Sequence, residues 1–146
     1  MDEKDEKIIK IMQENAKLST QDISKKTLIP ITTVHNRIKK LEKQGVIKGY
    51  TVNLDHSKVG KGLTAYTLVS IDYQCLKEAN LTTDDLAKKL VSFEEVEQVS
   101  MVTGSVDIIL KLRVKDMHDM DSFVTKKIRD QKGIGSTQTL MVLRET

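Results

Sequence analysis

Apolar positions recur at helical spacing through the first fifty residues and at strand spacing after residue 63. Ile8, Ile11 and Met12 fall on one helical face behind Asp2, Glu3, Asp5 and Glu6, acids that suit a helix N-terminus. Ser19 is placed to cap a second helix, with Asp22 three residues on forming a capping box. That helix is short, turns Ile23 inward, and must stop before Pro30. A third helix sets Val34, Ile38 and Leu41 on one face and ends at Gly45, a good left-handed C-terminal residue. Val46 to Val52 then reads as a short extended segment. The second and third helices are separated by about four residues, Thr27 to Pro30, which is helix-turn-helix spacing.

Asp55 to Gly62 is a polar connection, and the period changes after it. Ala65, Thr67, Val69, Ile71 and Tyr73 alternate with Tyr66, Leu68, Ser70 and Asp72, predicting a strand from Leu63 to Tyr73. Thr83-Asp84-Asp85 caps a helix bearing Leu86, Ala87, Leu90 and Val91. Val96 to Thr103 and Ile108 to Val114 read as strands, joined through Gly104-Ser105-Val106-Asp107. Asp116 caps one further helix with Met117, Met120, Val124 and Ile128, and a last strand covers Ser136 to Leu143. The order β-α-β-β-α-β is the split βαβ, or ferredoxin-like, pattern. The expected class is therefore α+β: a helix-turn-helix domain over 1–52, a linker over 53–62 and a βαββαβ domain over 63–146.

Composition leaves this intact. With 38% hydrophobic and 31% charged residues in 146, the chain is globular in character. No apolar run approaches a membrane span, and the charged start Met1 to Lys7 has no apolar region of a secretory signal behind it. Cys75 is the single cysteine, so no internal disulfide forms and a reducing, cytoplasmic setting is expected.

Charge is spread unevenly along the chain. The net of +3 divides into +4 over residues 1–50 and −1 over 51–146. Between 25 and 48 stand Lys25, Lys26, Arg37, Lys39, Lys40, Lys43 and Lys48 against Glu42 alone. Such asymmetry points to a polyanion partner for the basic half. On the third helix, Thr32, Asn36, Lys39, Lys40 and Lys43 lie opposite the apolar arc, with Thr33 and His35 at its margins. A major groove admits a helix, its bases are read by hydrogen-bonding side chains, and lysines neutralise phosphates. Thr32, Thr33, His35 and Asn36 are therefore the candidates for base edges. Lys25, Arg37, Lys39, Lys40, Lys43 and Lys48 are the candidates for phosphates. Arg37 flanks the apolar arc and serves either a phosphate or the packing of its own stem.

The Gly104 turn has two readings. Gly supplies a positive φ and Asp107 bonds local N–H groups, or Gly104 admits a ligand to the backbone while Asp107 accepts from an ammonium group. Thr137 and Thr139 could add hydroxyls nearby. His35, His56 and His118 have no partners at metal-ligand spacing, and no phosphate-binding loop, dinucleotide fingerprint or nucleophile elbow occurs. Neither catalysis, a metal nor a cofactor is expected.

These residues carry a resemblance. Thr33 to Tyr50, read as Thr-Val-His-Asn-Arg-Ile-Lys-Lys-Leu-Glu-Lys-Gln-Gly-Val-Ile-Lys-Gly-Tyr, resembles the recognition helix and its exit in Lrp/AsnC (feast/famine) transcription regulators. The Asp2 to Met12 helix is similar to their first helix. Val102-Thr103-Gly104-Ser105-Val106-Asp107 resembles the loop between the second and third strands of their C-terminal domain. Lys115-Asp116-Met117 and Gly133-Ile134 match later landmarks. The resemblance implies a winged or extended helix-turn-helix domain joined to an effector and oligomerisation domain. It implies homodimers through the C-terminal sheets, often built into octamers or hexadecamers. It also implies an amino acid or similar small effector bound between dimers, near Gly104 and Asp107, which shifts assembly or affinity for double-stranded DNA. One departure stands out. The family's turn usually reads Gly-Leu-Ser, whereas this chain has Leu28-Ile29-Pro30, without the glycine that tolerates a left-handed conformation or the serine that caps. Pro30 is acceptable in a first helical turn, so the motif is expected to survive with an altered entry angle. Two alternatives remain: an effector-independent architectural DNA-binding protein, and an enzyme of the sirohaem decarboxylase type, which resembles the family in both domains but has no need of a basic reading face.

Overall fold

A computed structural model describes all residues, 1–146, and they form two compact units, Met1–Asn53 and Leu54–Thr146. The first unit holds α1 (Glu3–Glu14), α2 (Thr20–Thr27) and α3 (Ile31–Lys43). Capping boxes start α1 and α2: Asp2 with Asp5, and Ser19 with Asp22. Each pair satisfies backbone N–H groups that a helix leaves unpaired at its start. Ile8, Ile23, Ile29 and Val34 form the buried cluster, with Ile11, Met12, Leu18 and Ile38 partly buried around it. So small a core depends on each member.

The turn between α2 and α3 solves an unusual problem. Leu28 sits at φ 58°, ψ 25°, in the left-handed region that its side chain disfavours, and is 90% exposed. The reversal swings Ile29 into the core, where it is buried. The Ser24 hydroxyl donates to the Ile29 carbonyl at 2.5 Å, and the Ile29 N–H donates to the Thr27 hydroxyl at 3.3 Å. Leucine thus occupies the conformation for which glycine is the usual choice. Pro30, φ −54°, precedes α3 and supplies no side-chain cap.

Beyond α3 the chain reverses at Gly45, φ 71°. The extended segment expected over Val46 to Val52 forms no strand. The first unit is all helical, so no neighbouring strand exists to take its backbone hydrogen bonds. The segment is fixed instead by a 2.6 Å bond from the Tyr50 hydroxyl to Glu42.

The second unit runs β1 (Leu63–Ile71), α4 (Tyr73–Glu78), α5 (Thr83–Val91), β2 (Val96–Met101), β3 (Ile108–Val114), α6 (Met117–Ser122) and β4 (Ile134–Met141). The sheet has order β2-β3-β1-β4 and every neighbour is antiparallel, the expected split βαβ arrangement. Its core joins Ala65, Val69 and Ile71 of β1 and Ile108, Leu110, Leu112 and Val114 of β3 to Leu86, Leu90, Met120, Phe123, Val124 and Ile128 of the helical layer.

Several boundaries differ from expectation. β1 stops at Ile71 because the Asp72 carboxylate accepts the Cys75 N–H at 3.0 Å and caps α4, a helix the alternating pattern concealed. Thr82, rather than Thr83, caps α5, in a box with Asp85. β2 stops at Met101 rather than Thr103. The single helix expected after Asp116 is α6 followed by a π-helical turn, Phe123–Ile128. The wider turn keeps Phe123, Val124 and Ile128 all buried. β4 begins two residues early, at Ile134, and ends at Met141 rather than Leu143. It follows Gly133, whose φ is +95°, whose added Cβ would strike the Leu76 side chain, and whose carbonyl accepts the Asp72 N–H at 2.8 Å.

The sheet face away from the helices is bare. Tyr66 and Leu140, register partners across β1 and β4, are both exposed there. Lys111 and Arg113 of β3 pair on this face with Glu97 and Glu145: Lys111 Nζ lies 3.2 Å from Glu97 and 3.6 Å from Glu145, and Arg113 Nη1 lies 3.1 Å from Glu145. Burial alone would raise the Glu97 carboxyl, but Arg113 and Lys111 together hold it below its ordinary value.

Candidate nucleic-acid interface and effector site

In α3 the buried Val34 and Leu41 face inward, and Thr32, His35, Asn36, Lys39, Lys40 and Lys43 are exposed, with Thr33 half-buried. The 3.6-residue period, with apolar groups at 34, 38 and 41, separates these two faces. Lys25 and Lys48 are exposed as well. None of Lys25, Lys26, Lys39, Lys40, Lys43 or Lys48 enters an ion pair within the chain. Glu42, the one acid of the stretch, accepts from Tyr50, which pushes that hydroxyl's pKa up. These lysines are left without an ion-pair partner within the chain.

Arg37 is the exception. Its Nη1 lies 2.5 Å from Asp2 Oδ1 and 3.0 Å from Asp5 Oδ1, linking α3 to the start of α1. The Arg37 hydrogen bond, with the Asp5 N–H behind it, holds the Asp2 carboxyl well below the usual carboxylate range. In the fold Arg37 staples α3 to α1 through these two acids. The acids at positions 2 and 5 signalled a helix N-terminus in the sequence but gave no sign of this cross-helix bond.

The candidate effector residues lie on the two sides of β1, Asp107 donating its N–H to the Val69 carbonyl and Thr137 pairing with Val69 from β4. The loop Val102 to Asp107 is closed by the Val102 N–H donating to the Asp107 carbonyl at 2.9 Å. Gly104 has φ +123°, and a Cβ there would meet nothing within 4 Å, so backbone conformation rather than crowding calls for glycine. Asp107 bonds an N–H group, as one of its two readings expected, but one distant in sequence rather than local. Its Oδ2 accepts the Ile71 N–H at 2.7 Å and its Oδ1 accepts the Tyr73 hydroxyl at 2.9 Å, tying the loop to the end of β1. Asp107 in turn pushes the Tyr73 hydroxyl's pKa up. Tyr73 is therefore part of this locus; read as the end of a strand, it went unnoticed.

Thr137 and Thr139 lie on the other side of β1, in β4. Both line a groove of about 330 Å³ with Met117, Met120, Met141, Asp121 and Arg129. Thr139 shares a 3.0 Å hydroxyl contact with buried Thr67, and Arg129 Nε donates to Thr137 at 3.1 Å. Methionines give an adaptable apolar lining, while a guanidinium and a carboxylate at the rim complement opposite charges. In the sequence Met117 and Met120 mark only a helix's apolar face, which gives no sign of a groove.

Comparison with known proteins agrees with this division. The family model of the Lrp/AsnC ligand binding domain matches residues 64–146, and that of a winged helix-turn-helix DNA-binding domain matches residues 1–48. A curated HTH-type transcriptional regulator from Pyrococcus furiosus is 33% identical over 141 residues, covering 97% of this chain and 91% of the relative. The HTH-type transcriptional regulator FL11 of Pyrococcus abyssi is 33% identical over 144 residues, covering 99% and 90%. Among solved structures, a transcriptional regulator from Neisseria meningitidis in complex with L-Met superposes with TM-score 0.90 at 29% identity, covering 99% of this chain and 91% of that one. AsnC of E. coli, 22% identical, shares the fold at TM-score 0.84, covering 99% of this chain and 93% of that one. No helix of the chain is long and apolar enough to cross a membrane.

Proposed function

Because this chain belongs to the Lrp/AsnC family of transcription regulators, with its DNA-binding helix-turn-helix and ligand-binding domains, we propose that it binds specific double-stranded DNA sites through α3 and that a small effector of the amino-acid class adjusts that binding. The observation that carries this reading is the set of unpaired lysines around exposed Thr32, His35 and Asn36, with half-buried Thr33 beside them. The lysines supply salt-dependent affinity, and the shorter polar side chains address base edges. We propose a homodimer, closed through the bare sheet face where Tyr66 and Leu140 leave apolar surface open, and further assembly toward an octamer. Two recognition helices related by a two-fold axis would then meet half-sites about one helical turn apart.

For the effector, the Met117, Met120 and Met141 groove favours an apolar side chain, with Arg129 for the carboxylate and Asp121 for the ammonium group. The Neisseria meningitidis regulator solved with L-Met supports that choice of class. The Gly104 loop is the second locus of the proposed site, Asp107 shaping it from within rather than presenting a free carboxylate.

The test is footprinting on the DNA upstream of its own gene, at two salt concentrations, with and without amino acids. A protected site that responds to one apolar amino acid is expected. Lys40→Ala should weaken binding to all sequences alike and lower the salt slope by about 1. Uniform protection of any DNA would overturn the specific-regulator reading.

A further inference from the structure

Leu28 is not explained by the fold that holds it. The turn needs a left-handed residue after α2 so that Ile29 enters the core, and glycine meets that need without strain. The side chain contributes no burial in return, being 90% exposed. An exposed, branched aliphatic group kept in an unfavourable backbone conformation marks a contact made outside the chain. Its position says with what. Leu28 lies in the turn leading directly into α3, and the first residue of α3, Ile31, is itself 45% exposed. The N-terminal residues of a recognition helix are those that reach base edges in a helix-turn-helix complex. The polar residues Thr32, His35 and Asn36, also exposed, follow within eight positions of Leu28 along the chain.

The major groove offers one apolar feature to an aliphatic side chain, the C5 methyl group of thymine. Resting on the DNA-binding reading above, we infer that Leu28 is a specificity-determining residue that packs against a thymine methyl in each half-site. The contact explains why leucine is kept where glycine folds more easily. It also makes the turn part of the reading surface.

The experiment separates this inference from the reading beneath it. A binding site is first selected from random duplexes with the full-length protein. Each thymine is then replaced by deoxyuridine, which removes only the methyl group, and affinity is measured by fluorescence anisotropy for the wild type and for Leu28→Gly. In the wild type, one thymine per half-site should lose about fourfold on replacement, the value of one buried methyl-sized group. Leu28→Gly should bind the thymine site as the wild type binds the uracil site, and should be indifferent to the replacement. Circular dichroism and an unchanged salt slope confirm that the variant is folded and seated on the phosphates. Salt-dependent binding in which no thymine responds, or in which Leu28→Gly responds as the wild type does, overturns the inference alone. A wild type that binds no duplex overturns the DNA reading and this inference with it.

Discussion

Replacing Leu28 by glycine should stabilise the helical unit. Leucine in the left-handed region costs roughly 1–2 kcal/mol, from the approach of Cβ to the following carbonyl oxygen. Truncation gives up almost no buried surface, because the side chain is 90% exposed. Against this gain, the greater freedom of glycine in the unfolded chain returns about 0.5–1 kcal/mol to the unfolded state. The balance is a stabilisation of about 0.5–1 kcal/mol, which for a unit of this size raises Tm by roughly 2–8 °C. Amide exchange of α2 and α3, read beside a thermal melt, reports this unit separately from the sheet. Leu28→Ala is the control: it keeps a Cβ, therefore the strain, and should not reproduce the gain. A destabilised Leu28→Gly, or an alanine variant as stable as the glycine one, would refute the reasoning.

Three further outcomes follow from the contacts described. The Asp2 carboxyl is lowered in the folded state, so its contribution is full above its unfolded value of about 3.9 and is lost as pH falls; acid melts of the helical unit should lose stability below about pH 4, less steeply in Asp2→Asn. Gly133→Ala adds a Cβ against Leu76 at a positive φ and should cost the sheet unit about 2–4 kcal/mol by urea denaturation. Asp107→Ala leaves the Ile71 N–H without its acceptor and should cost about 1–3 kcal/mol even without ligand; an unchanged midpoint would return Asp107 to a purely ligand-binding role.

Periodicity made most of this fold legible because burial here follows it closely. The alternation in β1 and the 34, 38, 41 spacing in α3 both became the buried faces they predicted. The order of strands and helices followed. What the sequence concealed were competitions between local signals. Asp72 looked like the polar half of an alternating pair, yet its carboxylate caps a helix and ends the strand. The helix after Asp116 kept its apolar residues while its hydrogen bonding widened, a change that spacing alone does not reveal. The exposed polar and basic face of α3 was legible because it is one element; contacts between distant segments were not. Arg37 meeting Asp2 and Asp5, and Asp107 meeting Tyr73, depend on tertiary placement that no window of sequence contains.

The four charges on the bare sheet face have a consequence for self-association. Near a two-fold axis every side chain confronts its own image, so a surplus of either sign would repel itself across the contact. Lys111 and Arg113 are matched within the chain by Glu97 and Glu145, leaving that face electrically balanced before any partner arrives. Added electrolyte then has little to screen in the proposed dimer contact, while it competes directly with the lysines of α3 for phosphate. Raising the ionic strength should therefore weaken the proposed DNA contact while leaving the proposed dimer together.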